Sequence, residues 1–261
     1  MAVANIIVTL SIKYTIMPEG PSIVIAREDI TAFKGMKVIA ASGLAKIDFD
    51  RLEDEKITDV KTWGKHLLIC FKGFTIRIHF MLFGSYLINE RKATNTNPSL
   101  RLTFEDSELN FHTSSVKLLE GDINSHYDWS EDLMNDKWNA DKAAEKLEAI
   151  PNKLICDALL EQDIFSGLGN IIKNEVLYRA RVHPESVVGK ISKAKTFELI
   201  EEARNYSFDF LKWKKEGVLK KNWLAHTKKT CKRCDLPMIK KYTGTKKRRS
   251  FYCENCQILH Q

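Results

Sequence analysis

The residues best suited to chemistry are a proline–glutamate pair near one end of the chain and four cysteines near the other. Residues Met17-Pro18-Glu19-Gly20-Pro21 read like the start of a protein, although sixteen residues precede them. A proline inside a chain is a tertiary amide whose nitrogen lone pair is held in resonance, so it is no nucleophile. Released as an amino terminus, it becomes a secondary amine that titrates near about 8, below the about 10.4 of lysine. Glu19 beside it is a carboxylate able to move protons. The competing interpretation is a Pro-Glu-Gly-Pro turn feeding a helix. Residues 1–16 are apolar, with Lys13 their one lysine, and lack the basic start and small-residue cleavage site of a secretory signal. We read them as an upstream extension from a misplaced start.

The cysteines read Cys231-x2-Cys234-x18-Cys253-x2-Cys256. Two such pairs at this separation are the spacing of a closed four-thiolate site for one structural zinc ion. Two disulfides are the rival. Against them, Cys70 and Cys156 lie in apolar runs as buried free thiols do. The eighteen intervening residues suffice for a β-hairpin, with Lys240-Lys241-Tyr242 and Ser250-Phe251-Tyr252 as arms and Gly244 near the turn.

That segment also concentrates charge. Residues 212–249 hold fifteen Lys or Arg against Glu216 and Asp235, a local +13 in a chain whose net charge is +7, which leaves −6 for the rest. A one-sided basic segment folded about a metal points to a polyanion. Lys246-Lys247-Arg248-Arg249 lie on the hairpin where they could clamp phosphates. Acidic lipid is the competitor, but no amphipathic basic helix accompanies the charge. No run of eighteen apolar residues is long enough to span a membrane.

The elements that must position these groups are legible in outline. Residues 17–35 predict a short helix, opened by Gly20 and Pro21 and closed by Gly35, with Ile23, Ala26, Ile30 and Phe33 at helical spacing. From about 36 to 120 the pattern turns to β. Runs at 65–71 and 74–80 flank Gly73, and runs at 100–104 and 109–112 flank Glu105-Asp106-Ser107, a sandwich or barrel signal. A polar stretch at 121–139 reads as a linker, and 140–213 as helices bounded by Pro151 and Pro184. Within them, Gly167-Leu168-Gly169-Asn170 follows a helix expected from about Asn152 and precedes another, with Asn170 as its cap. The free N–H groups there form a candidate phosphate site, with Lys173 one turn on. The bland alternative is any helical turn in a bundle.

Four motifs in this order resemble the Fpg/Nei family of bifunctional DNA glycosylases, from Met17 to Gln261. They are the Met-Pro-Glu start, the Trp63-Gly64-Lys65 hairpin, Gly-Leu-Gly-Asn, and a four-cysteine finger ending Phe251-Tyr252-Cys253-x2-Cys256-Gln257. The resemblance implies an α+β multidomain fold: an extension at 1–16, an N-terminal catalytic β-sandwich at 17–130, a helix–two-turn–helix DNA-binding domain at 140–225 and a zinc finger at 226–261. It implies base-excision repair: Pro18 as nucleophile, Glu19 as acid/base, and Lys65 reaching the lesion phosphate. Asn170, Lys173, Arg248 and, as second choice, Arg249 would contact DNA, and Met81, Leu82 and Phe83 would form the wedge that fills the gap left by a flipped base. The implied partner is damaged double-stranded DNA bound by an intracellular, nucleoid-associated or cytoplasmic monomer.

Pro-Glu-Gly-Pro resembles the Nei (endonuclease VIII) branch, which acts on oxidised pyrimidines, whereas the Fpg branch reads Pro-Glu-Leu-Pro. The strand end Phe111-His112-Thr113-Ser114-Ser115-Val116 lacks the arginine–phenylalanine motif of the Fpg branch. Trp213 to Thr230 is short for its purine-capping loop. Ser22 stands where both branches carry a glutamate that helps order the site. Two alternatives of other classes remain, a silent lesion binder if Pro18 stays blocked, and a non-specific zinc-finger nucleic-acid binder.

Overall fold

A computed structural model of the chain describes residues 18–91 and 96–261. The expected extension at 1–16 lies outside the described residues, as does Met17. The chain forms two compact units. One holds Pro18, Ala26–Thr62 and His66–His126, and the other Glu19–Ile25, Trp63–Lys65 and Tyr127–Gln261.

Helix α1 (Gly20–Ile30) opens on the expected Gly-Pro, and Ile23, Ala26, Ile30 and Phe33 are buried. The chain leaves through Gly35 at φ +86°, a conformation glycine adopts without strain. The first unit then builds two four-stranded sheets. Strands β1 (Ala40–Ser42), β2 (Asp59–Trp63), β3 (His66–Cys70), β4 (Phe74–His79), β5 (Ser85–Ile88), β6 (Leu100–Thr103), β7 (Glu108–His112) and β8 (Ser115–Glu120) order as β1-β6-β7-β5 and β2-β3-β4-β8. Register puts apolar partners together: Leu67 opposes Ile78, Ile69 opposes Ile76, and Leu102 opposes Leu109. All six are fully buried. The period-two alternation therefore sets both pairing and burial face. Strands β2 and β3 are joined by Gly64-Lys65 alone.

The second unit contains α2 (Ala140–Glu148), α3 (Ile155–Ala158), α4 (Asn170–Arg179) and α5 (Lys193–Lys215), then the hairpin β9 (Ile239–Thr243) and β10 (Arg248–Tyr252). Helix α3 is far shorter than the helix expected from Asn152. The chain beyond it is held as a loop by Gln162, whose amide donates to the Leu160 and Leu168 carbonyls and accepts from Gly167 N–H. The stretch at 121–139 is also not a plain linker. It folds into short turns capped by Asp122 and Asp128. Tyr127, Asp132 and Leu133 within it are buried, and Ser166 N–H donates to Glu131 O at 2.9 Å.

Candidate active site and nucleic-acid interface

Glu19 lies just before the first turn of α1 and is 1% exposed. Its carboxylate accepts from the N–H groups of Ile171 at 2.7 Å and Ile172 at 3.1 Å. It therefore occupies the N-terminus of α4, where orphan donors and the helix dipole favour an anion. This corrects the expectation of a free phosphate site there, because the chain's own carboxylate takes those donors. Gly169 makes room for it. A Cβ on Gly169 would lie 2.3 Å from Glu19 Cδ. Burial raises the pKa of Glu19 above the ordinary carboxylate value. The Lys65 ammonium opposes this most, then the Ile171 and Ile172 N–H groups, then Lys214.

The Gly64-Lys65 turn packs closely within the same unit. Gly64, at φ +52°, would place a Cβ 2.0 Å from Ser166 Oγ, and Trp63 Nε1 donates to Asp128 O at 2.8 Å. Lys65 is half-buried rather than a surface hairpin lysine. Burial pushes its pKa down, chiefly against the pull of Glu19. Structure thus brings together Glu19 and Lys65, and adds Lys214 from the last turn of α5. Lys214 Nζ donates to Ser22 Oγ at 2.6 Å. The sequence treats Lys214 as one of a basic run and gives no sign that it turns inward. Pro18 directly precedes Glu19.

Asn170 and Lys173 differ from their expected roles. Asn170 is the first residue of α4 rather than its cap, is buried, and donates to Arg249 O at 3.0 Å. Lys173 is fully buried and donates to Ser250 Oγ at 2.9 Å, so it braces the hairpin from inside rather than meeting a phosphate. Nine of the ten residues of α4 are buried, and Asn170 Oδ1 has no hydrogen-bond partner. Lys246 is engaged at the surface. Asp157 accepts from Thr245 N–H at 2.7 Å and Lys246 N–H at 3.2 Å, and Lys246 Nζ pairs with Glu161 at 3.1 Å. Arg248 and Arg249 stay exposed at the hairpin end, with Arg249 donating to Tyr242 Oη at 2.9 Å.

In the first unit, Met81, Leu82 and Phe83 follow β4 on a turn in which Met81 N–H donates to His79 Nδ1 at 3.1 Å. They are 54%, 49% and 78% exposed, so these apolar side chains stand outside the core.

The four finger cysteines converge. Their Sγ atoms all lie within 4.8 Å of one another. Separations of 3.8 Å (Cys231–Cys256), 3.5 Å (Cys234–Cys253) and 3.4 Å (Cys256–Cys234) exceed any disulfide bond, and all six cysteines are free. Tetrahedral zinc with bonds of about 2.3 Å sets sulfur atoms about 3.8 Å apart. The donor set fits zinc. Tyr178, Ala225 and Met238 pack around Cys231 and Cys253 as a small apolar core.

Among the described residues, no helix is long and apolar enough to cross a membrane. Two family models match the chain, the formamidopyrimidine-DNA glycosylase N-terminal domain over residues 17–115 and the H2TH domain of the same enzymes over 130–217. Endonuclease 8-like 3 of Mus musculus is 29% identical over 205 residues, covering 76% of this chain and 34% of that protein. Endonuclease 8-like 2 of Mus musculus is 33% identical over 154 residues, covering 54% of this chain and 45% of that protein. The chain thus spans less than half the length of these relatives. A viral DNA glycosylase superposes with a TM-score of 0.79 at 22% identity, over 92% of this chain and 100% of that one. A Lactococcus lactis formamidopyrimidine-DNA glycosylase, crystallised with DNA containing an abasic site, gives 0.81 at 21%, over 92% and 99%. These likenesses establish the fold.

Proposed function

The chain belongs to the Fpg/Nei family, on its Nei side, and from that premise we propose that it is a base-excision repair enzyme, a DNA glycosylase with abasic-site lyase activity on oxidised pyrimidines. The observation that carries the reading is Glu19, a buried acid fixed on two N–H groups beside Lys65, in the residue next to Pro18. Such an acid has a defined position and a proton affinity above that of an ordinary carboxylate, as general acid catalysis requires.

Pro18, presented as an amino terminus, attacks C1′ of the damaged nucleotide. Glu19 protonates the sugar ring oxygen, the C1′–base bond breaks, and the base leaves with the bonding pair. With the ring oxygen protonated, the C1′–O4′ bond breaks and opens the sugar, the nitrogen gives up its proton, and its lone pair joins C1′ in an iminium cation. That cation acidifies the C2′ proton. Its loss expels the 3′ phosphate in β-elimination, and a second elimination expels the 5′ phosphate. Lys65 meets the lesion phosphate. Arg248 and then Arg249 contact the backbone, while Met81, Leu82 and Phe83 enter the stack as an apolar wedge. Cys231, Cys234, Cys253 and Cys256 hold one structural zinc, which shapes the hairpin and does no chemistry on the substrate. The partner is damaged duplex DNA, met by a monomer inside the cell.

The test uses end-labelled duplexes carrying one oxidised pyrimidine, one oxidised purine, one abasic site, or none. The reading predicts excision of the pyrimidine and cleavage at the abasic site. It also predicts that Glu19→Gln lowers excision by about 100-fold or more while affecting abasic cleavage less. Undiminished excision by Glu19→Gln would overturn the role of Glu19. Binding of every duplex alike without cleavage would overturn the enzyme.

A further inference from the structure

In the 212–215 cluster, Lys214 turns its ammonium to α1, where it meets Ser22. Lys212 and Lys215 beside it are exposed. A cation in the last turn of a helix is favoured by the dipole while it stays in water, so the dipole gives no reason for Lys214 to turn inward. It does so to donate to Ser22 Oγ at 2.6 Å. Ser22 is fixed in turn, because its N–H donates to Glu19 O at 2.8 Å in the first turn of α1. Lys214 is thereby tied to the backbone segment that carries Glu19. Burial pushes its pKa down to about 8, and the Glu19 carboxylate is the charge that holds it up.

We infer that Lys214 is a positioning residue of the site: held by Ser22, its ammonium stands beside the Glu19 carboxylate and favours the ionised form of that acid. The inference rests on the role proposed for Glu19. The groups that act on this carboxylate come from every surrounding element. Helix α4 contributes the N–H groups of Ile171 and Ile172 and the ammonium of Lys173. The β2–β3 turn contributes Lys65, and α5 contributes Lys214 and the phenol of Tyr206. An acid that both gives and takes a proton must return to its ionised form within each cycle. Its affinity for the proton is therefore bounded on both sides. Burial alone drives that affinity upward, and the two lysines are the cations that restrain it most. Lys214 differs from Lys65 in having its side chain fixed by a neutral hydroxyl.

The test reads Glu19 directly, in the 261-residue protein labelled with carbon-13 at glutamate carboxyls. The Glu19 resonance is assigned by its loss in Glu19→Gln. Removing a nearby cation raises a carboxyl pKa, so Lys214→Met should move the Glu19 titration up by about one pH unit. Lys214→Arg, which keeps the charge, should leave it near the wild-type position. Ser22→Ala, which frees the ammonium from its anchor, should move it in the same direction as Lys214→Met by a smaller step. If Lys214→Met fails to fold, Ser22→Ala carries the measurement, since it deletes one hydrogen bond from a half-buried site. A Glu19 titration unchanged in both Lys214→Met and Ser22→Ala would overturn the inference. The pH profile of excision is recorded beside it, and its Glu19-dependent limb should follow the same shift. A protein that titrates as expected but excises no oxidised base overturns the proposed function and leaves the Lys214 assignment standing.

Discussion

At the scale of residues, Glu19 is placed by what is missing from its neighbour. Gly169 has φ −123° and ψ −167°, extended backbone that any residue adopts, so the requirement for glycine there is purely spatial. Gly169→Ala would put a methyl 2.3 Å from Glu19 Cδ and force the carboxylate off Ile171 and Ile172. The expected outcome is at least about a tenfold loss of base excision with bound zinc unchanged, read by single-turnover kinetics and metal analysis. Retained excision would mean that Glu19 works from another position. Glu19 and Lys65, which the structure brings together, each stand in a short motif of unusual composition that sequence reading can single out. Lys214 was not legible, because a count of charges does not distinguish an ammonium facing water from one turned inward to Ser22. Ser22 itself was legible as a departure, but its partner lies 192 positions away.

At the scale of elements, α4 explains both a success and an error of sequence reasoning. The Gly-Leu-Gly-Asn turn and the helix after it are where the pattern puts them. Asn170 and Lys173 were expected to face a phosphate, whereas both are buried, as are Asn174 and Glu175. Most are matched inside the protein, although Asn170 Oδ1 has no hydrogen-bond partner. Asn174 Oδ1 accepts from Phe251 N–H, and the Glu175 carboxylate accepts from Leu224, Ala225 and His226 N–H. Such a helix has no polar stripe for a periodicity to find, and it serves as the axle on which the finger is mounted. His226 shares that mounting, packed edge-on against Trp223 and Phe251. Burial, then the charges of Lys173 and Arg249, depress its pKa from 6.5 to about 4. Because the folded value lies below the unfolded one, the contribution is present above about pH 6.5 and is lost as pH falls through about 4. It is worth up to about 3 kcal/mol. Unfolding measured across this range should show the loss in the wild type and not in His226→Gln. Cys253→Ser should release zinc and unfold the finger, since a four-thiolate site couples binding to folding. Full metal content in that variant would contradict the four-cysteine site.

At the scale of the whole molecule, the strand pattern at 36–120 and the spacing of the cysteines gave the architecture, because alternation and metal-ligand spacing are local signals. The basic segment is mostly surface, as its charge suggests, but Lys214 turns inward and several exposed members are already engaged within the protein. Lys214, Arg233, Lys241 and Lys246 are engaged with Ser22, the Tyr178 carbonyl, Glu185 and Glu161 respectively. Arg248 and Arg249, exposed at the hairpin end, are the groups the proposed DNA contact would use. The central claim concerns the amine. The chemistry proposed for the molecule requires Pro18 to present a free secondary amine, and the first residue matched by the family model is Met17. The direct test is borohydride trapping on a duplex with a single abasic site, using protein expressed from Met17 and processed to Pro18, beside protein that retains residues 1–16. The account predicts a stable protein–DNA adduct whose cross-linked residue is Pro18, formed only by the processed chain. No adduct with either protein would contradict the lyase, and equal adducts with both would move the nucleophile to a lysine, Lys65 first.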